Sequence, residues 1–230
     1  MSVVLVPSSW GAPLSEFNPC HTAADGTFAP KGQGQCEGGG TSTKDFQAWF
    51  KGSKVVDANG QPLRLYHGTN AQGIVEFKAF SHFGTAQAAN DRAEALYDFS
   101  ENVVKRDPGA FQVIPVYLNI RHPLRMPDLA DIDSQTGQSL SDFEGKDDGE
   151  DHYARGWESE EAIGQTLLEM GIMNIDDFEE HGRDNREALE WLRDSTAYDG
   201  IVYRNVVEDP GNDSYIIFNP SQVRSAIRRR

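Results

Sequence analysis

The sequence is short of cysteine, of positive charge and of long apolar runs, and each shortage removes a class of protein. Cys20 and Cys36 are the two cysteines in 230 residues. His21 stands beside the first, but a structural zinc site needs about four closely spaced ligands, so no metal is expected. Both thiols fall in a Gly-rich stretch and read as reduced groups in a flexible arm. Lys and Arg number 21 against 36 Asp and Glu, a net charge of −15. Phosphate backbones are held mainly by Lys and Arg with counterion release, so this balance argues against general nucleic-acid binding without excluding it. It argues against an anionic membrane surface on the same ground. No apolar run nears the ~20 residues that cross a bilayer. The patch Val3–Val6 lacks a basic lead and is broken by Pro7 and Ser8, so it makes a poor secretory signal and a cytoplasmic setting is expected. The chain has no Walker loop, no GxGxxG and no HExxH, and Gly38-Gly39-Gly40 is linker.

The charge that is present is unevenly placed. Residues 1–45, 46–125 and 201–230 carry −2, +2 and +2, while residues 126–200 carry −17. The length allows one good-sized domain or two small ones, with enough chain for a real core. Residues 1–42 read as a flexible arm, rich in Gly, Pro, Ser and Thr and poor in aliphatics. The ordered domain is expected over 43–230, with 126–200 as an acidic helical insert. Thr43 or Asp45 can cap a short helix with Phe46, Trp49 and Phe50 on one face. Strands are expected at Ser53–Val56, ahead of an Asn59-Gly60 turn, and at Gln61–Tyr66. A helix rich in Ala is expected from Gln87 to about Glu101. Residues 111–120 read as a strand, with Pro123 and Pro127 as breakers. Helices follow at Ser159–Met170 and Asn185–Ser195. Strands Ile201–Tyr203 and Ser214–Phe218 flank a loop over Asn205–Asn212. Strands at both ends with helices between make an α+β pattern, not alternating βαβ units.

Three patches carry chemistry: Tyr66-His67-Gly68-Thr69, His82-Phe83-Gly84-Thr85, and Ser214-Tyr215-Ile216-Ile217-Phe218-Asn219-Pro220-Ser221-Gln222-Val223. In this order they resemble the ADP-ribosyltransferase superfamily, in its poly(ADP-ribose)-polymerase-like form found in phage and mobile-element polyvalent proteins. The resemblance spans about residues 43–227 and implies two small antiparallel sheets forming a cleft for NAD⁺, the co-substrate. It implies that His67 bonds a ribose hydroxyl, that Gly68 lets the backbone meet the nicotinamide amide, and that Tyr66 and Thr69 flank them. It places Phe83, Gly84, Thr85 and Tyr97 at the nicotinamide wall, and Ser214 and Tyr215 on the third strand. Plainer roles stand beside these: Thr69 and Thr85 as caps, and Phe83 and Tyr97 as core.

The chemistry agrees with the resemblance. Breaking the nicotinamide–ribose bond gives an oxocarbenium-like transition state, and the leaving group is already cationic. The site must orient the ribose and set a carboxylate near the developing charge. In polymerase-like relatives a Glu directly precedes the Tyr-Ile of the third strand; here that position is Ser214. The acid is then sought at Glu208, Asp209 or Asp213, and Glu208 is preferred for its reach. Arg204 and Asn205 read either as contacts to the dinucleotide phosphates or as solvated. The expected activity is mono-ADP-ribosylation of a protein target by a bacterial or phage-encoded effector. The rivals are a degenerate NAD⁺-binding or virion module, and a nucleic-acid-modifying enzyme of the same fold. The acidic insert reads as solvated surface or as the face that selects a basic target.

Overall fold

The computed structural model describes residues 41–69, 76–101, 112–133, 138–139, 155–157 and 159–226, and for 94–101 the backbone only. The arm over 1–40 with Cys20 and Cys36, the turn over 105–109, most of the acidic loop, Glu158 and the Arg228–Arg230 tail lie outside these residues. The chain divides into two compact units, Met1–Arg121 with Ser214–Arg230, and His122–Asp213. Among the described residues no helix is long and apolar enough to cross a membrane.

In the first unit, helix α1 (Lys44–Phe50) starts at Thr43, whose hydroxyl accepts from the Phe46 N–H. This caps an otherwise unpaired donor. The i, i+3, i+4 spacing gathers Phe46, Trp49 and Phe50, and Phe46 meets the edge of Tyr117 at 5.2 Å. The Trp49 indole donates to the Ser221 carbonyl, and Arg224 lies over the indole while pairing with Asp45. One sheet runs β1 (Leu65–Thr69), β3 (Gln112–Leu118), β7 (Val223–Ser225), all antiparallel. Pro115 sits in its central strand because nothing there needs its missing N–H. The Pro115 carbonyl accepts from Ala226, and the bond its ring nitrogen cannot give falls where β7 ends. A second ladder pairs β2 (His82–Phe83) antiparallel with β6 (Asp213–Ile217), and α2 (Ala86–Glu101) follows β2. Leu65, Ile114, Val116, Leu118 and Ile216 are fully buried.

Two expectations shift here. The strand expected over Gln61–Tyr66 begins at Leu65 and carries His67, Gly68 and Thr69 within it. The segment Ser53–Val56 contributes one bridge, Val56 to Pro62. Asp57 holds that turn by accepting from Asn59 and Gln61, with Gly60 at φ 74°.

The second unit holds β4 (Pro123–Met126), α3 (Ala162–Glu169), α4 (Ile175–Asp177) running into a π-helical turn Phe178–Gly182, α5 (Asn185–Ser195) and β5 (Gly200–Arg204). The acidic stretch lies within this unit. It has its own core, including Leu124, Leu129, Leu167, Met173, Leu192 and Ile201. Pro123 and Pro127 bound a strand rather than simply breaking one. β4 and β5 pair in parallel, a departure from the antiparallel pairing expected throughout, because the chain crosses through three helices before returning. Buried Arg155 spans Thr166 and Glu169 and ties the loop before α3 to that helix.

Helix α3 meets the π-helical turn through two glycines. A Cβ on Gly164 would stand 2.0 Å from the Gly182 carbonyl oxygen. Gly164→Ala should therefore force the two elements apart and lower stability by about 2 kcal/mol, within the usual cost of overpacking. A urea or thermal melt checks this, and an unchanged midpoint would show that the contact relaxes freely.

Candidate functional site

The first patch is built on the edge of β1. Tyr66 exchanges both backbone bonds with Gly84, at 2.8 and 3.0 Å. Backbone groups in an antiparallel ladder alternate sides, so His67 turns its N–H and C=O toward Ile114 of β3. Gly68 turns its own back toward the β2 side. A continued ladder would set Gly68 opposite His82. Instead the His82 carbonyl is taken by the ring of His67, with Nδ1 2.7 Å away. Strands β1 and β2 part at this point. The N–H and C=O of Gly68 have no partner among the described residues. Among the described residues, one donor and one acceptor are left side by side on this strand edge.

The same bond sets the state of His67. A carbonyl oxygen can only accept, so Nδ1 carries the proton. Burial pushes the His67 pKa down, the bond to His82 opposes this, and the Arg92 charge adds to the fall. The ring is then neutral at pH 7, and its Nε2 is a lone-pair acceptor. Phe77 and Phe83 hold the ring with centroids 5.2 and 5.3 Å away. Phe83 is 1% exposed and backs the histidine from the core.

His82 is driven in the same direction, to about 4, by loss of solvation around the ring first and then by Arg92 and His67. The residue keeps exposed surface, so the favoured neutral state is what matters here rather than the size of the fall. Folding lowers both histidine pKa values from the ordinary 6.5, so the unfolded chain takes up these protons first on acidification. The stability that the neutral rings contribute is present above pH 6.5 and is lost as pH falls below it. Melting midpoints should drop as that stability is lost, and a His82→Gln variant should drop less. Parallel curves for the two proteins would remove His82 from the account.

Helix α2 seats on this edge through small residues. A Cβ on Gly68 would lie 2.0 Å from the Ala89 carbonyl oxygen. A Cβ on Gly84 would lie 2.8 Å from the Ser214 hydroxyl oxygen and 3.0 Å from the Ala88 Cβ. Thr85 caps the helix by accepting from Ala88. Ser214 is thus 3% exposed and packed toward Gly84 and Ala88, with Tyr215 paired in register with Phe83. Thr69 is buried and Tyr66 is half-buried. The backbone of Tyr97 lies in α2, and its side chain lies outside the described residues.

Glu208 belongs to the second unit, in the loop after β5. Asn205 organises that loop. Its Oδ1 accepts from Val207 and Glu208 at 3.0 and 2.9 Å, an Asx turn, and its Nδ2 donates to the Glu208 Oε2 at 3.0 Å. The loop closes through Asn205 N–H to the Asn212 carbonyl and Gly211 N–H to the Asn205 carbonyl, with Gly211 at φ 91°. Asp128 anchors the loop by accepting from Val206 at 2.9 Å, and it also receives the Trp157 indole and the Ala130 N–H. Asp213 is held differently, in a two-pronged pair with Arg125 at 3.1 and 2.8 Å.

Sequence reasoning missed Asn205 and Asp128. Asn205 was expected to meet phosphates or solvent; it is 2% exposed and bonds its own loop. The pattern Asn-x-x-Glu before Pro210-Gly211 was the available signal, since Asn accepts from N–H groups two and three residues on. Asp128 carried no local signal, because Trp157 and Val206 meet it only through the fold.

A family model described as ADP-ribosyltransferase in polyvalent proteins matches residues 57–230. No curated protein and no solved structure matches the chain. The match covers all three patches, the parted edge at Gly68 and the Glu208 loop, so the chain belongs to the ADP-ribosyltransferase family of polyvalent proteins.

Proposed function

We propose that this chain is a mono-ADP-ribosyltransferase that cleaves NAD⁺ and passes ADP-ribose to a protein side chain. The observation that carries the reading is the Gly68 edge, unpaired among the described residues, beside a neutral His67. A carboxamide offers one N–H donor and one C=O acceptor at the spacing of a peptide group, the complement of what Gly68 presents. The Nε2 of His67 accepts from a ribose hydroxyl and so orients the sugar.

Nicotinamide departs as a neutral base, and the ribose C1′ takes on the positive charge. A carboxylate lowers the energy of that transition state and then removes the proton of the incoming nucleophile. Glu208 is assigned this role. Asp213 is already neutralised by Arg125, whereas Glu208 is oriented through one oxygen and keeps the other available for chemistry. A lysate protein is the proposed acceptor, and the exposed acids Glu160, Asp176 and Glu180, with half-buried Asp177, are its proposed recognition surface. Glu161 and Glu179 contribute less, because Arg183 already bridges them.

A second reading has one observation in its favour. Ser214, where polymerase-like relatives carry their acid, is packed toward Gly84 and Ala88, as in a domain that binds NAD⁺ without cleaving it. Incubation with NAD⁺, with and without host lysate, separates the two. Free nicotinamide and labelled protein support the transferase; NAD⁺ binding with no release supports the binding module.

A further inference from the structure

Asn205 engages its own loop through three side-chain hydrogen bonds. Its Oδ1 fixes the backbone at Val207 and Glu208, and its Nδ2 fixes the carboxylate. The residue itself is 2% exposed, which fixes its side chain in one place. Asp128, 4% exposed, locks the next residue through the Val206 N–H and is itself held by Trp157. Trp157 in turn packs on Tyr203 of β5, with centroids 4.7 Å apart. A loop that needed only to connect two strands would not require a buried amide aimed at a carboxylate.

We infer that Asn205 is the positioning residue of Glu208: it engages Oε2 and thereby fixes the orientation in which Oε1 is presented. This rests on the assignment of Glu208 as the acid. The amide has no charge and does not touch the substrate. It acts by holding one carboxylate oxygen, so that the other is presented in a single orientation rather than sampling several rotamers. The Asx turn supplies the reach, because it brings the Glu208 backbone back over the Asn205 side chain.

The test uses Asn205→Asp in the full chain. The new carboxylate has the same shape and keeps the acceptor for Val207 and Glu208, but it replaces the donor to Oε2 with a like charge. Nicotinamide release should show kcat reduced about 100-fold, the scale of a misplaced catalytic group, with KM for NAD⁺ little changed. The acid limb of the kcat profile should move to higher pH by about one unit, since paired carboxylates resist double ionisation. Asn205→Ser, which shortens the side chain without adding charge, should lose kcat similarly and leave the limb in place. It also serves if Asn205→Asp fails to fold. A lowered melting midpoint with kcat and pH profile both intact would make Asn205 a merely structural residue and overturn the inference. Glu208→Gln run alongside keeps the two assignments apart. Full activity there removes Glu208 as the acid, whereas loss there with active Asn205 variants removes only the positioning role.

Discussion

Glu208→Gln is expected to abolish nicotinamide release, with kcat falling at least ~100-fold, as when a group stabilising a transition-state charge is removed. The fold should be untouched. The Gln amide oxygen can still accept from Asn205 Nδ2, and the backbone bond from Glu208 to Asn205 does not depend on the side chain. NAD⁺ binding should survive, because the proposed contacts to nicotinamide and ribose come from Gly68 and His67. The informative comparison is therefore binding against turnover in one variant. Calorimetry with NAD⁺ should give near wild-type affinity while nicotinamide release disappears. Asp209→Asn and Asp213→Asn complete the set. Retained activity in Glu208→Gln with loss in Asp209→Asn would move the acid by one residue. Loss in Asp213→Asn alone would show that its pair with Arg125 opens during turnover.

Gly68→Ala should have the larger effect on stability. The added methyl would stand 2.0 Å from the Ala89 carbonyl oxygen, and both partners are backbone held in regular structure. No side chain can rotate out of the way, so either α2 lifts or β1 shifts. The expected loss is about 3 kcal/mol, at the upper end of typical overpacking costs. Ala89→Gly should not rescue it, because the obstruction is the carbonyl and not the Ala89 methyl. NAD⁺ binding should fall at the same time, since the proposed nicotinamide contacts belong to the displaced backbone. A thermal melt and an NAD⁺ titration of the single and double variants check both statements. A wild-type melt for Gly68→Ala would mean that α2 has slack against β1.

Gly68 also shows how two reasons for one residue can coincide. From the sequence, the glycine stood for backbone access to a ligand. In the structure it is equally a demand of packing, because α2 can approach β1 only where no Cβ intervenes. The two reasons act on different parts of the residue: the helix on the Cα, the strand edge on the N–H and C=O. Loss of activity in Gly68→Ala would therefore not by itself identify a nicotinamide contact, whereas the Glu208 variants separate chemistry from folding.

Much of the molecule was legible in the chain. Thr43 before Phe46, Trp49 and Phe50 announced α1, and the Ala-rich run after Thr85 announced α2. The apolar spacing in Asn185–Ser195 announced α5 to the residue. These signals are local: a cap, a period of 3.6, a turn former. The three patches, read together, led to the family. Apart from the Asn205 turn, what escaped depends on a partner distant in sequence. β4 is four residues between prolines and is a strand only because β5 lies beside it in parallel. β7 is three residues that pair with β3.

By itself, then, the sequence determined helices α1, α2, α3 and α5, most of the strands and the concentration of acid over residues 126–200, and its three patches led to the family. The tertiary structure decided which atoms of those residues are available. It took the His67 Nδ1 for the His82 carbonyl and left Nε2, parted two strands at Gly68, neutralised Asp213 with Arg125, and put Asn205 behind Glu208. Composition and spacing name the functional groups. The His67 Nδ1 and the Asp213 carboxylate are engaged by residues 15 and 88 positions away, which no local pattern records, whereas the Asn205–Glu208 bond spans three residues and a local pattern signals it.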